Sequence, residues 1–355
     1  MTAQSQISIT EYISEETSRR IRNLGFLCSL FVVALHNSWP TNGAGLFFGR
    51  IFHLVLGPAA VPFFFAVSGF FLAGHFRDRC WWKQEIRKRI RSLVVPYFVW
   101  AILFLLFQAS WDGFHAWSRG EPFNDTFFRG LYPSRWLSAL GVDITRRPQL
   151  GVLWYMRCLM FFVVLSPWVF RGIQRIHPFG VILAFPVVCA YSTATKLHFP
   201  GSDPCGFFIY GVSLEGLWYF SLGSLLRIQP IKIASSLQGM AVLVAVLFLA
   251  LHSLDLTSRW PVNSIVLSTP FVLLGLWICT PSTAWPSALV SCAFPIYLLH
   301  SFFNYAIAWM ITRRGYSIPP FPGLSTVLVS ASSILTALAI RRFTPRFGKI
   351  IFGGR

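Results

Sequence analysis

A histidine closing an apolar stretch, as in Phe31-Val-Val-Ala-Leu-His36, is a group that can take a proton from a hydroxyl near neutral pH. Four more ionisable residues stand in apolar surroundings: His53, Arg157, Glu215 and His300. An ionisable group within a membrane is costly, which makes each a functional candidate. Each also has a structural explanation. His36 could cap a helix end at an interface, His300 could hydrogen-bond between helices, and Glu215 could pair with a base such as Arg157. Ser68 stands in Phe64-Phe-Ala-Val-Ser68-Gly69-Phe70 without the glycine elbow of a nucleophilic serine, so Ser68 and Gly69 read as helix-packing residues. Arg87, Lys88, Arg89 and Arg91 form one basic run, suited to phosphate oxygens or to anionic lipid headgroups. The seven cysteines are scattered without metal-ligand spacing and read as small core residues.

The elements that must position these residues are membrane helices. Only 12% of the 355 residues are charged and 55% are hydrophobic, whereas a soluble domain carries roughly 25% charge. Apolar runs fall at 24–39, 50–74, 93–110, 151–170, 179–193, 207–226, 237–253, 262–279, 286–311 and 322–341. Backbone polar groups in a bilayer must be paired within the segment, so these runs are expected to be helices. The fold class expected is all-α, a polytopic integral membrane bundle of about ten transmembrane helices. The net charge of +18 lies mostly in short connections, which fits a membrane protein rather than a nucleic-acid partner. With the N-terminus inside, inner segments hold 19 Lys and Arg and outer ones 10, with Arg157 inside a span. That bias puts both termini in the cytoplasm.

A single domain over 1–355 is expected, with a cytoplasmic tail at 1–20, a long extracytoplasmic loop at 111–150 and a basic cytoplasmic tail at 342–355. Trp111, Phe114, Trp117, Phe123, Tyr132 and Trp136 argue that the loop is ordered or lies in an interfacial aromatic belt.

In this order the pieces resemble the membrane-bound acyltransferase-3 family, whose members O-acylate sugars and related acceptors. The resemblance runs through His36, the Phe-Phe-x-x-Ser68-Gly69-Phe-Phe-Leu stretch, Lys88-Arg89 with Pro96-Tyr97, Leu153-Trp154-Tyr155-Met156-Arg157, and Pro295-Ile296-Tyr297-Leu298-Leu299-His300. One departure stands out. The family has an acidic residue and, one turn later, an arginine eleven positions before the histidine; here Arg22 and Gly25 occupy those places. Arg22 is then the candidate to supply a guanidinium from the earlier turn.

The resemblance implies a cytoplasmic acyl-coenzyme A donor, acetyl-coenzyme A being the expected one, and no bound cofactor or metal. It implies a glycan or glycolipid acceptor reached from the extracytoplasmic side, in a bacterial inner membrane. His36 would be the general base, with Arg157 near the developing oxyanion and His300 beside the base. Arg87, Lys88, Arg89 and Arg91 would grip the donor's phosphates. Arg22, Ser68, Trp154, Tyr155, Glu215 and Tyr297 are further candidates. The alternative is a transporter or exporter of polysaccharide or small molecules on the same scaffold; such carriers usually show inverted repeats, and none is evident here.

Overall fold

The computed structural model describes residues 13–354 other than 38, 40–42, 77–80, 141–147, 149, 199–206, 209–211, 230–234, 254–263 and 314–322. The first twelve residues of the expected tail, and residues 141–147 and 149 of the long loop, lie outside the described residues. The described residues are almost all helical. In order come α1 (Glu15–Leu35), α2 (Gly43–Ile51), α3 (Gly57–Ala73), α4 (Trp81–Arg89), α5 (Val95–Ser118), α6 (Phe123–Arg129), α7 (Pro133–Ala139) and α8 (Leu153–Arg175). They are followed by α9 (Pro178–His198), α10 (Leu214–Ile228), α11 (Ser235–Ser253), α12 (Ser264–Cys279), α13 (Ser287–Val290), α14 (Ala293–Arg313), α15 (Leu324–Phe343) and α16 (Pro345–Ile351). Between α9 and α10, β1 (Phe207–Phe208) pairs antiparallel with β2 (Val212–Ser213).

Among the described residues, four helices are long and apolar enough to cross a membrane: Gly43–Ala73, Trp81–Ser118, Leu153–Arg175 and Leu324–Phe343. Together with the outward display of apolar side chains, they make this an integral membrane protein. In α15, Val327 and Leu335 are 64% and 67% exposed, while Ser330 and Ser333 are buried. Apolar outside and polar inside is the reverse of a water-soluble helix, and it suits a hydrocarbon solvent.

The first two of these spans are continuous through π turns. Phe52–Leu56 joins α2 to α3, and Ile90–Val94 joins α4 to α5. Each turn lies just ahead of a proline, Pro58 or Pro96. Proline offers no N–H to the helical ladder, and the neighbouring Gly57 and Val95 N–H groups reach back to Phe52 and Ile90 carbonyls across a widened turn.

Packing is closest between α3 and α10. A Cβ on Gly69 would lie 2.0 Å from the Phe220 carbonyl oxygen, and one on Gly223 would lie 1.9 Å from that of Ala66. The two glycines therefore let the backbones touch, as small residues do between membrane helices. Around this contact Phe65, Phe162, Tyr219 and Phe220 are fully buried.

Several boundaries differ from the sequence expectation. α1 begins at Glu15, inside the stretch read as tail, because Ser14 caps it by accepting from the Thr17 N–H at 3.2 Å. The span expected at 93–110 runs on to Ser118, so the loop starts at Arg119. α6 and α7 fold back on α5: Phe123 fills the space beside Gly113, and Arg135 reaches Asp112 at 3.1 Å. The span expected from 207 becomes helical only at Leu214, where Ser213 accepts from the Gly216 N–H at 2.9 Å. The expected C-terminal tail contains α16, held by a 2.8 Å bond from Trp100 Nε1 to the Ile351 carbonyl.

The close approach sets a stability test. Gly69→Ala and Gly223→Ala should each cost at least about 1–3 kcal/mol by overpacking. The cost is read as a lower Tm in detergent. Gly151→Ala, whose added carbon meets nothing within 4 Å, should leave Tm unchanged.

Candidate functional site

The site begins where α1 stops. The last carbonyls of a helix need partners other than the missing next turn. Asn37 Nδ2 takes the Val33 carbonyl at 2.7 Å, and Trp39 Nε1 takes that of Ala34 at 2.9 Å. His53 Nε2 in turn donates to the Asn37 carbonyl at 3.2 Å. These bonds end the helix at His36 and leave its imidazole exposed beyond a buried turn.

That ring stacks on His300 of α14, with centroids 5.3 Å apart and planes 22° from parallel. His300 is fully buried. Its Nδ1 lies 3.2 Å from the Ile296 carbonyl, which can only accept, so Nδ1 carries the hydrogen. The neutral ring then holds a lone pair at Nε2, buried and without a hydrogen-bond partner. An exposed imidazole against a buried one of fixed tautomer can accept a proton from a hydroxyl and hold it.

One turn earlier on α14, Tyr297 donates its hydroxyl to the Val152 carbonyl. Its ring meets that of Tyr155 edge-on at 5.7 Å and lies 6.3 Å from that of His300. The Tyr155 hydroxyl donates to the Phe64 carbonyl at 3.3 Å and lies 3.2 Å from Ser68 Oγ. The Phe64 ring closes the group, 6.2 Å from Tyr155 and 6.4 Å from Tyr297. Phe64, Tyr155 and Tyr297 thus form an aromatic septum.

A cavity of about 750 Å³ abuts the septum. Arg19, Arg22 and Gly25 of α1 line it, with Trp285 and the first turns of α14, and its lining ends on Phe64, Tyr155 and Tyr297. Along α1 and α14 alike, the cavity residues come first and the histidines later, and Tyr297 both lines the cavity and neighbours His300. α1 also builds the cavity wall. Asn23 Nδ2 holds the Pro281 and Thr283 carbonyls at 3.0 and 2.9 Å, and Phe26 meets the Trp285 ring edge-on.

A second cavity, about 570 Å³, is lined by Arg87, Lys88, Arg89 and Arg91 together with Gly353 and Gly354. Gly353 has φ +65°, and a Cβ there would lie 2.5 Å from the Ser92 carbonyl, so only glycine lets the chain close this wall. Glu85, buried beneath the cluster, has its carboxylate 3.5 Å from both Lys88 Nζ and Arg89 Nε. Arg341 bridges Ser291 of the first cavity's lining and Phe352, the residue before Gly353. It donates to Ser291 Oγ at 2.6 Å and to the Ser291 carbonyl at 3.0 Å, and its guanidinium lies 5.8 Å from the Phe352 ring.

A family model described as an acyltransferase domain matches residues 21–342, nearly the whole chain. The chain belongs to the acyltransferase-3 family. No curated protein and no solved structure matches it.

Within this membrane acyltransferase the sequence candidates divide. His36 and His300 come together, as do Ser68, Tyr155 and Tyr297, and the four basic residues share one cavity. Arg22 lines the other cavity beside Gly25, with one guanidinium nitrogen 2.8 Å from Ser18 Oγ. Trp154 stacks obliquely on Phe65, 6.0 Å away. Arg157 is buried on α8, in electrostatic reach of Tyr97. Glu215 occupies the first turn of α10, where a carboxylate suits the helix N-terminus, and its field reaches Cys189 and Tyr219.

Sequence reasoning missed Phe64 as part of the septum, Trp285 and Asn23 as cavity wall, and the Arg341–Ser291 link. Asn23 gave a weak signal, an amide immediately before the apolar run that starts at residue 24. Phe64 opens the Phe-Phe-x-x-Ser68-Gly69 stretch of the resemblance, but nothing in the sequence set it apart as a ring facing Tyr155 and Tyr297.

The septum's anchors can be ranked. Tyr297→Phe leaves the buried Val152 carbonyl without its donor and should cost about 1–3 kcal/mol. Tyr155→Phe, whose bonds are long, should lower Tm less. Thermal unfolding of both variants in detergent checks the order.

Proposed function

We propose that this protein is an integral membrane O-acyltransferase. It moves an acyl group, acetyl being the smallest, from cytoplasmic acyl-coenzyme A to a hydroxyl of an extracytoplasmic glycan or glycolipid. His36 is the general base. The reading is supported above all by the stacked pair of His36 and His300 across an aromatic septum from a cavity of about 750 Å³, a size usual for small-molecule sites. Among the described residues, ten helical stretches suit ten crossings: α1, α2–α3, α4–α5, α8 to α12, α14 and α15. An even number, with the basic excess on the side of α1's start, supports a reading with both termini cytoplasmic, and the family resemblance supports a bacterial inner membrane as its setting.

The reaction follows from the chemistry of thioesters. The acceptor hydroxyl attacks the thioester carbonyl as His36 takes its proton, since an unassisted hydroxyl is a poor nucleophile at neutral pH. The carbonyl oxygen gains negative charge, for which Arg157, buried on α8, is the candidate cation. The tetrahedral intermediate then collapses, the carbon–sulfur bond breaks, and the departing thiolate takes the proton from His36. His300 accompanies the base as a neutral neighbour. The basic cavity of Arg87, Lys88, Arg89 and Arg91 suits the donor's phosphates, with Glu85 holding two of the cations in place.

Transfer of labelled acyl groups from acyl-coenzyme A to a mixed glycan extract tests the reading on purified protein. His36→Ala should lower transfer by about 10²-fold or more while donor binding persists. Equal transfer by the variant would exclude His36 as base. No donor binding and no transfer with any acyl chain would leave the transporter reading in its place. Arg87→Gln with Arg91→Gln should raise the donor KM and weaken its salt dependence, with kcat little changed.

A further inference from the structure

Gly25 is an unusual glycine in this fold. It lies in the middle of α1, is buried, and has ordinary helical backbone, so no turn or positive φ requires it. In a helix interior glycine costs about 1 kcal/mol relative to alanine. Gly57, Gly69 and Gly223 recover such a cost by close packing, since an added Cβ would clash there at 2.8 Å or less. Gly25 does not. A Cβ there meets only the Phe63 ring at 3.7 Å and the Phe64 ring at 4.0 Å, both ordinary contacts. What the missing side chain leaves open is the cavity itself, at its septum end, facing Phe64.

That end is hydrocarbon in character. Phe63, Phe64 and Phe294 surround it, and the hydroxyls of Tyr155 and Tyr297 are directed to backbone carbonyls. Of the charged residues of the cavity, Glu15 and Arg19 lie more than a turn nearer the start of α1, and Arg22 lies just under one turn from Gly25 with a guanidinium nitrogen turned back to Ser18 Oγ at 2.8 Å. An apolar recess beside the septum fits an alkyl chain that runs back from the thioester carbonyl, which must itself reach the septum for the attack that His36 assists.

We propose that Gly25 sets the acyl chain of the donor, opening a recess against Phe64 that takes an unbranched alkyl chain longer than acetyl. This rests on the acyltransferase reading and narrows its donor. A longer side chain at position 25 would fill the recess and leave room for acetyl alone.

The experiment compares acetyl-, butyryl-, hexanoyl-, octanoyl- and succinyl-coenzyme A with wild type, Gly25→Ala and Gly25→Leu. Binding is measured by equilibrium dialysis and transfer by labelled product. Because a Cβ fits without displacement, Gly25→Ala should keep the wild-type Tm or exceed it, and thermal unfolding checks that Gly25→Leu is folded before its binding is read. Wild type should prefer butyryl or a longer chain to acetyl. Gly25→Leu should cut the hexanoyl-to-acetyl ratio by about tenfold or more, the scale of a filled apolar pocket, with Gly25→Ala between.

A wild-type preference for acetyl or succinyl, or the same chain profile in Gly25→Leu, overturns the proposal. Chain-selective binding that shifts in Gly25→Leu without any transfer supports the recess and contradicts the acyltransferase reading. Transfer with a chain profile indifferent to position 25 does the reverse.

Discussion

A membrane helix that ends inside a bundle must hand its last carbonyls to other donors, and at the end of α1 those donors are Asn37 and Trp39. Much of the site depends on that termination. Another turn of helix would carry residue 36 into regular backbone and bring apolar side chains to the place of the imidazole. Stopping there leaves His36 at a helix end against His300, a residue that α14 delivers at the same level. Leu35 meets the position of Gly57, just before the proline that follows the π turn, so the neighbouring span is shaped to the same end.

The second constraint is the septum. Three rings from three helices, two of them pinned through their hydroxyls to carbonyls, close one end of the cavity, and Tyr297 among them neighbours His300. A bilayer enzyme that joins a soluble cytoplasmic donor to an outer acceptor must pass the acyl group without leaking ions or water. A thin aromatic partition at the meeting point suits both needs.

Much of the architecture was legible because its physics is local. Apolar length and basic asymmetry identify helices one segment at a time, and every expected run coincides in large part with a helix. The errors came where a local rule was overridden. Asp112 and His115 made the end of α5 look like loop, yet α6 and α7 cover it. Phe207 and Phe208 looked like the start of a helix, and pairing with Val212 and Ser213 took them into an extended turn.

The site was legible only in part. His36, His300, Tyr155 and Tyr297 were singled out by residue type within apolar runs and by family resemblance. Their stacking and edge contacts join residues far apart in the chain, which no spacing rule reaches. Gly25 appeared in the sequence only as a missing arginine; the cavity gives it a positive meaning. The central claim is that the acyl group crosses the septum from the side of α1's start to the side of His36. Oriented proteoliposomes test it most directly, with labelled acyl-coenzyme A and glycan acceptor supplied on chosen sides. Transfer should occur only when the donor is on the side of the N-terminus and the acceptor opposite. Equal transfer with both substrates on one side would contradict the account.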